Sequence, residues 1–545
     1  MLSKDNRIRL GIIIVSLLLF TPYLGQVHLF DWDEINFAEA TREMLITGNY
    51  SIVQIDYQPF FEKPPLFFWI QAVSMHIFGI NEFAARFPNA LVGVFSLLLI
   101  FNIGKKYYDS RFALIWVLSY AGSILPFFYF KSGVIDPWFN FFIFSGLYYA
   151  VKYLDESAYR NKWNLVISGA AIGLGILTKG PVALMILLLT LGVYFLIKMF
   201  KGFPSILDFL IFFGVMFIFG GSWFIVEFFR GNEKVIYEFV HVQIELLSKN
   251  VADHEEPWYY HSIVLLIGVF PASILALKSL GRNEADNLRQ KHLSLFMKIL
   301  FWVVLAVFSM VKTKIVHYSS MAYFPLTFLA AHTIFYLMSE RIRWSRWMSL
   351  ILGSVGLFWS LLMIFLPVIG INIDKLKNSA LISDEFAKAN MDAVVNWTGY
   401  EGVIGVFLLS GVLFSLFNKS YNSGVRMIAL NVTVIITMFL FTSVNIPKVE
   451  EYSQGAAIEF FKKFKDDSAY VAPVMYKSYA HLFYTEKKAQ KNPNHNNVSW
   501  LLNGEIDKPA YFVSRITQKD KVLIKYSNLK IIGEKNGFVF YKRVR

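Results

Sequence analysis

The chain has 545 residues, 56% of them hydrophobic and only 17% charged, with a mean hydropathy of +0.47. That balance excludes an ordinary soluble protein, which carries more charge and less apolar content. The absence of cysteine excludes disulfides, thiol catalysis and thiolate metal sites, and in so apolar a chain the net charge of +13 is a topological signal; no nucleic-acid partner is expected.

Apolar runs able to cross a hydrocarbon core of about 30 Å recur along the sequence. Membrane helices are expected near 8–29, 84–106, 111–129, 134–154, 163–178, 181–199, 206–229, 259–278, 293–311, 319–338, 345–371, 402–418 and 425–445, about thirteen in all. The first follows Lys4, Arg7 and Arg9. No small-residue cleavage site comes after it, so an uncleaved anchor is expected.

Lysine and arginine set the orientation. With the N-terminus inside, the inner connections hold Lys105, Lys106 and Arg111, then Lys152, Arg160 and Lys162, then Lys198 and Lys201. Further on they hold Lys278, Arg282, Arg289 and Lys291, then Arg341, Arg343 and Arg346, then Lys419 and Arg426. Short basic inner connections are what the positive-inside rule asks for. An odd number of spans puts the C-terminus outside.

The outer face receives a long loop at about 30–83, turns at 130–133 and 179–180, loops at about 230–258, 312–318 and 372–401, and a tail from about 446. The tail reads as a helix (GAAIEFFKKF), a strand (AYVAPVMY), a helix (SYAHLFYT), a strand (AYFVSRI) and a hairpin turning at Lys535-Asn536-Gly537. The expected organisation is a polytopic α-helical membrane domain over 1–445 and a small soluble α/β domain over 446–545.

Span centres are almost free of ionisable groups, with His332 the main exception. Such groups crowd the outer ends instead: Asp33, Glu34, Glu62, Lys63, Arg86, Asp136, Lys179, Glu227, His241, His254, Lys312, Lys314 and His317. This points to a site at the outer boundary of the membrane. It argues against a transport path, which needs polar groups at mid-depth.

The outer loop opens with FDWDEINFAEATREMLITGN. Asp31 is placed to cap a helix, Glu34 to act as its capping-box acid and Gly48 to end it. Ile35, Ala38 and Leu45 give that helix an apolar stripe suited to lying on the membrane surface. Asp33 and Glu34 could equally serve only to offset the helix dipole.

In FFEKPPLFFW, Pro64 and Pro65 hold the backbone extended, so Glu62 and Lys63 are expected to point opposite ways. Each then needs its own partner: an anion for Lys63, a cation or metal for Glu62. Solvated interfacial charges are the plainer alternative. Asp136-Pro137 reads equally as an N-cap with proline at the first helical position. Lys179-Gly180-Pro181 reads equally as a snorkelling lysine at an outer hairpin. KTKIVHY gathers Lys312, Lys314, His317 and Tyr318 on one outer turn, a set of cations suited to phosphate. His241 and the run Asp253-His254-Glu255-Glu256 could hold a divalent cation.

WDEINFAEATREM, YQPFFEKPPLFFW, NEFAARFPNAL, LTKGPVAL, ADHEEPWYY and KTKIVHY follow one another in an order that resembles one family. These are the bacterial lipid-linked sugar transferases, similar to the aminoarabinose transferases of lipid A and, more distantly, to protein O-mannosyltransferases. The resemblance covers about residues 10–340. It implies the type C glycosyltransferase fold, with surface helices on the first outer loop and an outward-facing site in the bacterial cytoplasmic membrane. It implies a polyprenyl-phosphate sugar as donor, no nucleotide cofactor, and a lipid A-like lipid, a glycan or a protein as acceptor. The sequence has no glycine-rich nucleotide loop, in keeping with that donor.

By the same resemblance, Asp33 is the catalytic carboxylate, with Glu34 and Asp136 as further candidates. Lys63, Lys179, Lys314 and Tyr318 cradle the donor phosphate. Glu62 and His241 hold a divalent metal, whether zinc, magnesium or manganese. Two departures stand out. Asn36 replaces an arginine common in the family, and HVQIELL lacks the arginine that commonly follows the histidine. Recognition of phosphate or acceptor is therefore expected to differ. A flippase of lipid-linked glycans is the alternative reading, disfavoured by the apolar span centres.

Overall fold

The structure is a computed structural model and describes residues 3–155, 160–248, 256–281, 286–465, 468–490 and 492–544. Each expected membrane segment contains a helix or a pair of helices, but the first, expected over 8–29, is helical only to Phe20. Among the described residues, seven helices are long and apolar enough to cross a membrane by themselves, or eight if one bent pair is a single span. Length and apolarity therefore do not reach thirteen, because several expected spans are short or broken. The segment 111–129 divides into Ser110–Ala121 and Ile124–Tyr129 at Gly122, where a Cβ would sit 2.7 Å from the Leu118 carbonyl and 2.8 Å from that of Asn431. The segment 259–278 divides into Tyr260–Gly268 and Ala272–Ser279, bent by 110°. Pro271 lies in that break and has no N–H to continue the first helix.

Close helix contact is made where side chains are absent. The helices Trp163–Lys179 and Ile206–Phe229 meet at Gly169 and Gly173. A Cβ on either glycine would stand 2.6 Å from a carbonyl of the partner helix, Phe212 O and Met216 O respectively. Small residues permit such backbone approach in membranes, where packing rather than water drives association.

The outer-loop helix runs Asp33–Thr47 and ends on Gly48, which adopts φ 67 as expected of a C-terminal stop. Its start differs from expectation. Trp32 occupies the cap position without a side-chain bond, and the Asp31 carboxylate instead accepts from the Ser478 hydroxyl and the Tyr479 N–H. Nor is this a surface helix: every residue from Glu34 to Met44 is buried. The C-terminal unit closes over it, and Ile35 and Ala38 share one apolar core with Ile458, Phe461, Phe483 and Phe540.

That burial forces its charges into pairs. Arg42 donates to Glu39 at 2.7 and 2.6 Å and to the Lys487 carbonyl at 2.7 Å. Glu43 accepts from the Tyr57 N–H. Burial, with Glu39 close by, raises the Glu43 carboxyl far above the ordinary range, so it is neutral at pH 7.

The C-terminal unit follows a last membrane helix, Ser423–Glu450, which runs past the expected limit at 445. Its four strands lie in the order Tyr470–Pro473, Ala510–Arg515, Phe538–Arg543, Leu529–Lys535. The first pair is parallel and the others antiparallel. The terminal hairpin turns where expected, with Asn536 at φ 46 and Gly537 at φ 79. Two helices, Val498–Asn503 and Lys519–Lys525, were not anticipated.

Candidate active site

Asp33 opens the outer-loop helix, Asp136 opens the helix Asp136–Asp155 and Lys179 closes the helix Trp163–Lys179. Three helix ends thus deliver three charged groups to one place. Lys179 Nζ donates to Asp136 Oδ1 at 2.6 Å and lies over the Tyr318 ring at 5.1 Å. His317 Nε2 stands 3.4 Å from Asp33 Oδ2 and 3.7 Å from Asp136 Oδ2. Asp136 is buried, while a third of the Asp33 side chain (34%) remains exposed. The two carboxylates therefore differ: Asp136 is committed to a lysine, and Asp33 stays partly exposed to solvent.

Behind them, Asn140 donates to Tyr129 OH at 2.6 Å and to Ser320 Oγ at 2.8 Å. Ser320 follows His317 on the 3₁₀ helix Val316–Ala322, so this buried bond ties the imidazole's element to the Asp136 helix. Neither Asn140 nor Ser320 was singled out in the sequence. An asparagine one turn after Asp136 in an otherwise apolar span was the signal available.

Glu34 is near but spent. It pairs with Arg86 at 2.7 Å and accepts N–H groups from Phe30 and Gly133. Burial opposes its charge, but Arg86 and these donors win and hold its carboxyl below the usual range. With both oxygens occupied, Glu34 is geometrically a brace between the outer loop and the chain leading into Asp136, rather than a proton acceptor.

Glu62 and Lys63 correct an expectation. Residues 61–63 form a turn instead of an extended segment, and Lys63 Nζ lies 3.7 Å from Glu62 Oε2. The prolines fix the exit from that turn into the helix Leu66–Phe78 and do not splay the two side chains. Burial lowers the Lys63 ammonium below the lysine range against the pull of Glu62, with Lys179 adding repulsion. Asp33 and Asp136 also act on it, which places Lys63 with the carboxylate–lysine cluster.

The charges acting most strongly on Lys63, Lys179, His317 and Tyr318 are one another and Asp33, Glu62 and Asp136. Lys314 is buried and bears on His261. His241 is exposed and stacks against Tyr237, while its neighbour Gln243 donates to the Glu62 carbonyl at 3.0 Å. Asp253, His254 and Glu255 lie outside the described residues. Among the described residues, no three His, Asp or Glu side chains are placed to share a metal ion. Glu227 is also apart from the site: it accepts from Asn232 at 2.7 Å and from Ser51, anchoring the outer loop to the end of Ile206–Phe229.

The whole architecture aligns with a crystal structure of ArnT from Cupriavidus metallidurans bound to undecaprenyl phosphate. The alignment covers 99% of both chains with a TM-score of 0.75 at 17% identity. This is the ArnT fold. The apo crystal structure of the same ArnT gives a TM-score of 0.74. Residues 62–223 of the chain match the family described as dolichyl-phosphate-mannose-protein mannosyltransferase. Among curated proteins it is 28% identical over 341 residues to the undecaprenyl phosphate-alpha-4-amino-4-deoxy-L-arabinose arabinosyl transferase of Wigglesworthia glossinidia brevipalpis, covering 61% of this chain and 60% of the relative. It is 28% identical over 363 residues to the protein of the same name from Pectobacterium carotovorum, covering 63% and 62%. The matched region thus spans about three fifths of these relatives' length.

Proposed function

We propose that this chain is an integral-membrane glycosyltransferase. It transfers a sugar from a polyprenyl-phosphate donor to an extracytoplasmic acceptor, a lipid A-like lipid, a glycan or a protein, with inversion at the anomeric carbon. The observation that carries the reading is the unequal pair of carboxylates: Asp136 is bound to Lys179 at 2.6 Å, and Asp33 is left partly exposed to solvent. The names of the relatives and of the aligned ArnT structure supply the class of donor.

In this reading Asp33 takes the proton of the acceptor hydroxyl as its oxygen attacks the anomeric carbon. The bond from that carbon to the donor phosphate breaks, and the phosphate leaves with the electron pair. Lys63, Lys179 and Tyr318 face the charge that builds there. Preorganised cations in a partly dry site favour the departing anion more than they would in water. Asp136 holds Lys179 in place. Glu62 and His241 are the candidate ligands for a divalent metal; the turn at 61–63 and the Gln243 bond to the Glu62 carbonyl support bringing their segments together.

The distribution of lysine and arginine supports placing the chain in the bacterial cytoplasmic membrane, with the site and the C-terminal unit on the periplasmic side. A reporter active only in the cytoplasm, fused after Arg545, is expected to stay silent.

The test of the activity is mass spectrometry of envelope lipids and glycans from cells with and without the gene. A sugar-bearing species should disappear on deletion, return with the wild-type chain, and fail to return with Asp33→Asn. An unchanged profile on deletion would sink the proposal, and full rescue by Asp33→Asn would remove Asp33 as the base.

A further inference from the structure

The stretch NEFAARFPNAL opens the helix Glu82–Tyr107 and carries none of the groups assigned to the chemistry. It is nevertheless where the segments that deliver those groups are tied together. Pro88 lies inside this helix and has no N–H, so the Ala84 carbonyl, four residues earlier, loses its helical donor. Ser74 Oγ donates to that carbonyl at 2.7 Å, and Gln71 Nε2 donates to the Ala85 carbonyl at 2.8 Å. Both come from the helix Leu66–Phe78, which leaves the turn bearing Lys63. Gln71 also accepts from Thr41 Oγ1 at 2.6 Å, on the helix that Asp33 opens.

Arg86 and Asn89 stand three residues apart and so share one face of the helix. Arg86 donates to the carbonyls of Leu24, Val27 and His28 at 2.7, 2.9 and 2.8 Å, besides its pair with Glu34. It thereby holds the chain that leads into Asp33. Asn89, fully buried, does the same for the chain that leads into Asp136: its Nδ2 donates to the Ser132 and Val134 carbonyls, at 2.6 Å each. Between those carbonyls, the Gly133 N–H goes to Glu34, the residue next to Asp33. Lys131 Nζ closes the same turn onto the end of the first helix, donating to Pro22 O at 2.7 Å and Phe20 O at 3.2 Å. The Asn89 Oδ1 has no partner among the described residues. An orphaned buried oxygen is a cost that an apolar side chain would not carry, so the amide serves through its two donors.

We propose that Asn89 is a positioning residue for the transfer. It fixes the chain entering Asp136 while Arg86, on the same face, fixes the chain entering Asp33. The separation of the two carboxylates is thus set by one turn of a rigid helix and not by the loops that carry them. The effect on transfer rests on the proposed function; the hold on residues 131–134 does not.

The experiment therefore has two arms. In the first, hydrogen exchange is followed by mass spectrometry on the purified full-length chain. Asn89→Leu, which keeps the branching but removes both donors, should speed exchange in residues 131–135 by about tenfold or more and leave residues 510–515 of the C-terminal sheet unchanged. In the second, Asn89→Leu should lower the sugar-bearing envelope species by about 10–10² fold per folded molecule. Binding of undecaprenyl phosphate to the purified chain should change by less than about threefold. Asn89→Gln retains the amide and should recover part of the turnover. Should Asn89→Leu not fold, Asn89→Ser, which keeps one donor, is read in the same way. Unchanged exchange at 131–135 overturns the proposal. So does faster exchange throughout the chain, or binding and turnover falling together in proportion to the folded fraction, because Asn89 then only supports folding. Absence of any sugar-bearing species from wild-type cells counts against the proposed function, and the exchange result stands apart from it.

Discussion

His317 Nε2 stands 3.4 Å from Asp33 Oδ2, so the imidazole and the proposed base share one space. The same nitrogen is 3.7 Å from Asp136, and His317 therefore fixes the separation of the two carboxylates. His317→Ala should leave undecaprenyl phosphate binding nearly intact and lower turnover by about 10–10² fold, the scale of a misplaced reacting group. His317→Asn, which retains a donor, should recover part of the loss. Equal loss of binding and turnover in both variants would show that the histidine supports folding and does not position Asp33.

In the proposed function Lys63 holds the donor phosphate, and this would give donor binding a pH dependence. The phosphate needs the ammonium form, and burial moves the loss of that proton below the ordinary lysine value of about 10.4. The affinity for undecaprenyl phosphate should therefore be full at low pH and fall as pH rises, starting below the ordinary lysine range. Lys63→Arg keeps its charge throughout and should flatten the profile, whatever it does to absolute affinity. A wild-type titration that is flat up to pH 10 would contradict this placing of Lys63.

The buried Glu39–Arg42–Glu43 cluster ties stability to pH in the opposite sense from a surface salt bridge. Glu43 keeps its proton in the folded chain to a higher pH than in the unfolded one. Once pH passes the ordinary glutamate value of about 4.3, the unfolded state loses a proton that the folded state retains. Stability should then fall with rising pH until the folded carboxyl also ionises. Glu43→Gln should reduce that slope in thermal unfolding between pH 5 and pH 8 (a range set by the ordinary value). Arg42→Ala strands Glu39 as an unpaired buried charge and should cost about 3–5 kcal/mol.

Gly173 tests the helix contact. A side chain there meets the Met216 carbonyl at 2.6 Å and the Gly220 N at 2.8 Å, both backbone atoms that cannot rotate away. Gly173→Leu should destabilise the detergent-purified chain by about 1–3 kcal/mol or more, as overpacking does. Gly192→Leu, where a Cβ meets nothing within 4 Å, is the matched control and should be near neutral.

How far the sequence could be read depended on what kind of force fixed each feature. The apolar runs located the helices because each segment's hydropathy is local to it. The Asn536-Gly537 turn was legible for the same reason. The broken spans were not, since the break at Gly122 depends on the distant Asn431 carbonyl. Asp33, Asp136 and Lys179 stood out as charges at helix ends, and the structure brings them together. Glu34 carried the same local signal, yet its partner Arg86 lies 52 residues away. Reading Glu62 and Lys63 as splayed failed because a turn, not a strand, precedes the prolines.

The cover over the Asp33–Thr47 helix has a consequence for how the chain is made. That helix lies within the first tenth of the polypeptide, and its Arg42, with Tyr57 just beyond it, waits for the carbonyl of Lys487, near the end. Asp56 likewise meets Lys487. Without the final segment the helix lacks the Lys487 carbonyl and its cover, and is held only from the other side, by Arg86 on Glu34 and Gln71 on Thr41. The cover over that helix is thus completed last in chain order. A chain that ends before Lys487 keeps Asp33, Asp136, Lys179 and His317 but leaves the helix that carries Asp33 uncovered on that side.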